Sequence, residues 1–130
     1  MRSRALFVAT LVVLFLLGGM LAVYGAFLVP TRALGVYGWA LAIAIGGNLA
    51  TTLGGGWGTR SVLGAVTPGA GWLVVTLIAG FSRPEGDLVI PSSVPSAPGL
   101  GTTGSLFLVS GIVAAGVGVA LVQRRFGHRP

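Results

Sequence analysis

The chain is 130 residues long, 54% hydrophobic and only 8% charged, with a mean hydropathy of +0.95. Soluble domains carry roughly 25% charged residues, so a water-facing globular surface is excluded and a single membrane-embedded domain, 1–130, is predicted. The net charge of +6 comes from eight arginines and no lysine against Glu85 and Asp87, while cysteine is absent and His128 is the lone histidine.

The first predicted helix, near 5–29, follows Arg2 and Arg4 and runs without a polar break to Val29. A secretory h-region of about 7–15 residues is shorter than this, so a retained helix is expected. Its small residues Gly18, Ala22 and Ala26 share one face. The second segment, near 35–54, opens with Tyr37 and Trp39 and carries the most ordered pattern in the chain. Gly38, Ala42, Gly46, Ala50, Gly54 and Gly58 recur every four residues and define a helix-packing face. Such a row lets another backbone approach closely, either inside the bundle or from another subunit. Gly54-Gly-Gly-Trp-Gly58 is poor at holding a helix and is expected to end it.

The third segment, near 61–81, contains Pro68-Gly-Ala-Gly71. Proline lacks the N–H and clashes with the preceding turn, which predicts a kink or break near Val66–Thr67. Trp72 falls near the middle of this segment, and its indole N–H wants an acceptor. Asn48 lies at comparable depth and Thr76 is one turn away, so Asn48 and Trp72 are expected as a buried polar pair. The extracytoplasmic loop 82–103 is proline-rich, and its Asp87, Leu88, Val89 and Ile90 form a candidate contact surface. The fourth segment, near 104–122, bears Ser110, Ala114 and Gly118 beside Gly111 and Ala115. A cytoplasmic tail, 123–130, ends the chain with Arg124, Arg125 and Arg129, suited to anionic headgroups, to an acidic partner or simply to holding this end inside.

The predicted fold class is all-α: a polytopic membrane protein with four transmembrane helices in an up-down bundle, the third kinked at Pro68. With the N-terminus inside, six arginines fall on the cytoplasmic face and two, Arg32 and Arg83, on the outer one. This positive-inside bias predicts a multi-pass cell-membrane protein with both termini cytoplasmic.

Chemistry is largely excluded. His128 and the two carboxylates fall on opposite sides of the bilayer, so no Ser-His-acid triad can form. One histidine, two carboxylates and no cysteine cannot build a metal centre. The glycine run lacks a following Lys-Ser/Thr and does not make a phosphate loop. No catalytic, cofactor-binding or metal residue is therefore expected, and dispersed basic groups argue against nucleic acid as a partner. Proton coupling normally needs an ionisable group at membrane depth, and none interrupts the four segments. That sets the chain apart from the small multidrug exporters. It is similar to the fluoride channels in size, helix number, Asn48 and the Pro68–Gly71 stretch, but lacks their Thr-Thr-Phe-Ser box.

Gly58-Thr-Arg60 after the second helix, Pro84-Glu-Gly-Asp-Leu-Val-Ile-Pro91 in the outer loop, and the use of Arg without Lys carry a further resemblance. In these the chain resembles the small four-helix integral membrane proteins of actinobacteria, a resemblance that implies the fold but no activity. Two functions are expected on these grounds. One is a non-enzymatic accessory or structural subunit packed, as hetero-oligomer, against another membrane protein. The alternative is a small homo-oligomeric channel or facilitator using Asn48, Thr51 and the Pro68 region. A bundle interior lined only by Gly, Ala, Val and Leu favours the subunit.

Overall fold

The computed structural model describes residues 2–28, 41–80 and 100–126. These form an all-α protein with four helices packed side by side. Helix α1 is Arg2–Leu28. Helix α2, described from residue 41, contains a π-helical turn at Ile43–Gly47 and continues as α-helix through Asn48–Thr59. Helices α3 and α4 are Val62–Gly80 and Leu100–Phe126. Arg4–Gly25 and Leu106–Phe126 are long and apolar enough to cross a membrane, and Val62–Ile78 is a shorter apolar stretch.

Three boundaries depart from those expected. Helix α2 does not stop at residue 54 but runs through the glycine-rich stretch to Thr59. Gly55 and Gly56 are buried there, and their packing outweighs the poor intrinsic propensity of glycine, about 1 kcal/mol per residue. Helix α4 begins four residues earlier than expected and includes Gln123, Arg124, Arg125 and Phe126, half of the expected tail. Helix α3 passes through Pro68 without a break. The ring costs one backbone hydrogen bond, but Pro68 is fully buried and its carbonyl backs directly onto Gly18 of α1.

Glycines set the approach of the helices. A methyl on Gly18 would overlap the Pro68 carbonyl, one on Gly71 the Phe15 carbonyl, and one on Gly55 the Gly64 carbonyl. Helices α1 and α3, and then α2 and α3, therefore meet backbone to backbone. Leu14 meets Gly55 and Leu21 meets Gly47, so α1 and α2 run in opposite directions. The pairs Thr52–Gly118 and Gly56–Val122 make α2 and α4 parallel, while Gly69–Ala115 and Trp72–Gly111 make α3 and α4 antiparallel.

Helix α2 ends where Arg60 enters the left-handed region at φ 51°, ψ 38°. Its N–H donates to the Trp57 carbonyl and the Ser61 N–H to the Gly56 carbonyl, the double hydrogen bond of a Schellman cap. Glycine fills that position without strain, whereas a residue with a Cβ costs on the order of 1 kcal/mol. Among the described residues Arg60 is the only non-glycine with positive φ.

Small and polar side chains fill the interior together with Trp72, Phe107 and Val122, and many large aliphatic ones cover the outside. Ala22, Ala44, Ala65, Ala114, Asn48, Thr52 and Thr76 are buried; Leu16, Met20, Val74, Ile78, Val113 and Leu121 are among those exposed. Water would penalise such an outward surface, whereas lipid accommodates it.

Candidate functional site

The interior holds a column of four polar side chains. Asn48 and Thr52 of α2 and Trp72 of α3 are completely inaccessible, and Thr76 of α3 is nearly so. The local cause on α2 is a row at four-residue spacing, Ala44, Asn48 and Thr52, carried inward with Gly56. On α3, Trp72 and Thr76 are likewise one turn apart. Trp72 packs on Phe107 of α4 with ring centroids 5.4 Å apart and an interplanar angle of 48°. Its six-membered ring fits because Gly111 has no side chain; a methyl there would overlap the indole.

Thr52 lies level with Gly118 and Trp72 level with Gly111. Asn48 is one turn from Thr52 and Thr76 one turn beyond Trp72. At a rise of ~1.5 Å per residue, the column covers about 16 Å of the bundle axis.

Its hydrogen bonding is incomplete. The Asn48 amide Nδ2 donates to the Ala44 carbonyl at 2.8 Å. Asn48 Oδ1, Thr52 Oγ1, Trp72 Nε1 and Thr76 Oγ1 have no hydrogen-bond partner among the described residues. Other hydroxyls behave differently. Thr10, Thr51, Thr59 and Thr67 donate to the carbonyl one turn back, at 2.8, 2.8, 2.7 and 2.6 Å respectively. Each buried polar group without a partner costs about 1–3 kcal/mol. Three of the four column atoms can accept a hydrogen bond and three can donate one, since each hydroxyl does both. None titrates at ordinary pH, so the column can solvate a neutral polar species but cannot carry a proton by ionising.

The expected pair, Asn48 and Trp72, thus occupies one interior, but the indole N–H does not reach the amide oxygen. Thr52, which sequence reasoning passes over, belongs with them; its signal was the four-residue step from Asn48. Thr51, placed on the polar path by the channel reading, instead bonds the Gly47 and Asn48 carbonyls of its own helix.

The expected small-residue face has a different fate. Ala42, Gly46, Ala50, Gly54 and Gly58 are all exposed, and a methyl on Gly46, Gly54 or Gly58 would meet nothing within 4 Å. Packing of this row inside the bundle is corrected accordingly. The Ala44–Asn48–Thr52 row lies two positions away, about 200° around the helix, so only one of the two rows can face inward. By contrast, Gly18 and Ala22 on α1 and Ala114 and Gly118 on α4 are buried. Gly38 and the loop residues Asp87, Leu88, Val89 and Ile90 lie outside the described residues.

No protein-family model matches the chain, and no curated protein and no solved structure matches it either.

Proposed function

We propose that the chain is a non-enzymatic integral membrane subunit of the cell membrane, crossing it four times and packing against another membrane protein through the outward face of α2. The observation that carries this is the Ala42–Gly58 row. Elsewhere large aliphatic side chains cover the outward surface, yet here a nearly flat strip is bare of them apart from Ile45 and Trp57 at its edges. A flat strip of small residues offers lipid little and offers a partner helix close backbone contact. The lengths of α1 and α4, the shorter apolar stretch of α3 packed beside them and the outward aliphatic surface support this reading. The antiparallel contacts bring Arg4, Arg60, Arg124 and Arg125 towards one end, which supports that end as the cytoplasmic one. Kinship with the small actinobacterial four-helix proteins, and a share of the interface for loop residues 87–90, belong to the same proposal.

The test is Gly46→Leu with Gly54→Leu. Because both sites are open, the double variant should keep its helix content and melting temperature. Mass spectrometry of the complex gently extracted from its native membrane should then show a different polypeptide bound to wild type and lost from the variant. A wild-type complex that survives the double substitution unchanged removes this face as the interface.

The interior favours a second reading, a small homo-oligomeric facilitator for neutral polar solutes, because the column is not the purely aliphatic lining expected of a passive subunit. Asn48→Leu should then abolish solute flux in liposomes while the oligomer persists. Wild-type liposomes with no flux of any small solute sink this reading.

A further inference from the structure

At the arginine-rich end of the bundle, the ends of α2 and α4 enclose an open cavity of about 450 Å³, lined by Trp57, Arg60, Arg125 and Phe126. We infer that this cavity is a binding site for a phosphate anion, with the phosphate of an anionic lipid headgroup as its first candidate source. The inference holds whether or not the outward face of α2 is occupied.

Three observations support it. First, the cavity joins two guanidinium groups, which are planar, permanently charged and matched to phosphate oxygens, with two aromatic walls. Its volume is within the range of small-molecule sites, about 300–1,000 Å³. Second, Arg125 is oriented: its Cζ stands 5.9 Å from the centroid of the Trp57 ring, a cation–π distance between two residues that line the cavity. Third, Arg60 occupies the left-handed cap of α2, where glycine is the unstrained choice.

Simple complementarity to helix dipoles accounts for Arg124 and Arg125 in the last turn of α4. The same complementarity favours a cation at the end of α2, yet the left-handed position there suits glycine better than arginine. The two helix C-termini contribute only about half a negative charge each, which two guanidinium groups outweigh. Trp57 is half exposed and shares the cavity lining with two arginines, so aromatic surface meets charge there, a pairing suited to the level of a lipid phosphate.

The experiment uses the full chain, delipidated in mild detergent and titrated separately with phosphatidylglycerol, diacylglycerol (which lacks the phosphate) and inorganic phosphate, with bound adducts read by native mass spectrometry. Phosphatidylglycerol should be retained at least about tenfold more strongly than diacylglycerol, the scale of one hydrogen bond to a charged group. R125Q and R60G should each remove most of that preference. R60G is the control for folding: glycine suits φ 51°, so its melting temperature should hold or rise while binding falls. Inorganic phosphate that binds comparably and displaces the lipid would assign the site to a free phosphate; retention of lipid alone would assign it to the headgroup. Equal retention of both lipids with no phosphate adduct, or an unchanged preference in R60G and R125Q, overturns the inference.

Discussion

At Gly54 a methyl group would project into open space, whereas at Gly55, one residue on, it would overlap the carbonyl of Gly64. Gly56 is enclosed too, by the side chains of Val122 and Ala65, and Gly58 is as open as Gly54. Helix α2 thus carries glycines on two faces and puts them to opposite use. One lets three helices close around the interior. The other leaves a flat strip outside. The glycines alone do not distinguish the faces; the polar row Asn48 and Thr52 does.

The largest expected effect breaks this comparison directly. Gly55→Leu must push apart backbones that already touch, and overpacking against backbone costs about 1–3 kcal/mol or more. Gly54→Leu should cost nothing and, through helix propensity, gain up to about 1 kcal/mol. Thermal unfolding in detergent, followed by far-ultraviolet circular dichroism, separates the two. Equal destabilisation by both variants would mean that the face through Gly46, Gly54 and Gly58 is packed after all.

An intermediate effect is expected at the far side of the column. Gly111→Ala drives a methyl into the ring of Trp72, which Phe107 backs and which therefore has little freedom to retreat. A loss of about 1–3 kcal/mol is expected, accompanied by a change in the emission of the displaced indole. Gly116→Ala is the matched control on the same helix, since a methyl there meets nothing within 4 Å.

Much of this architecture is legible in the amino-acid sequence. The long apolar runs declare α1 and α4, because uncharged stretches of that length have few other solutions. Asn48 and Trp72 declare themselves as interior residues because an amide and an indole are costly in lipid. The inward face of α2 is less legible. Two rows at four-residue spacing compete on that helix, and the more regular one, through Gly46 and Gly54, faces out. Nor does local propensity reveal that the helix persists to Thr59, since the packing of Gly55 and Gly56 that holds it there involves Leu14, Gly64 and Val122, distant in sequence. Pro68 illustrates the same limit: the local rule predicts a kink or a break, and the helix continues across the buried proline.

The smallest effect is the most informative about the column. Thr51 and Thr52 are adjacent, but Thr51 returns its hydroxyl to the Gly47 carbonyl at 2.8 Å, while Thr52 Oγ1 is buried without a partner. Valine has nearly the shape of threonine. Thr52→Val therefore keeps the contact of Cβ and Cγ2 with Gly118 and removes only the unpartnered oxygen. Relieving a buried unpartnered hydroxyl should stabilise the protein by about 1 kcal/mol, and Thr76→Val should do the same. Thr51→Val should be close to neutral, since its bond is made within the helix. If the column conducts a polar solute, the stabilised Thr52→Val variant should also lose flux, because the hydroxyl that costs stability is the one that would solvate the passing molecule. Destabilisation by Thr52→Val of about 1 kcal/mol would show instead that its hydroxyl is satisfied in the folded protein, and the column would then be part of the packing.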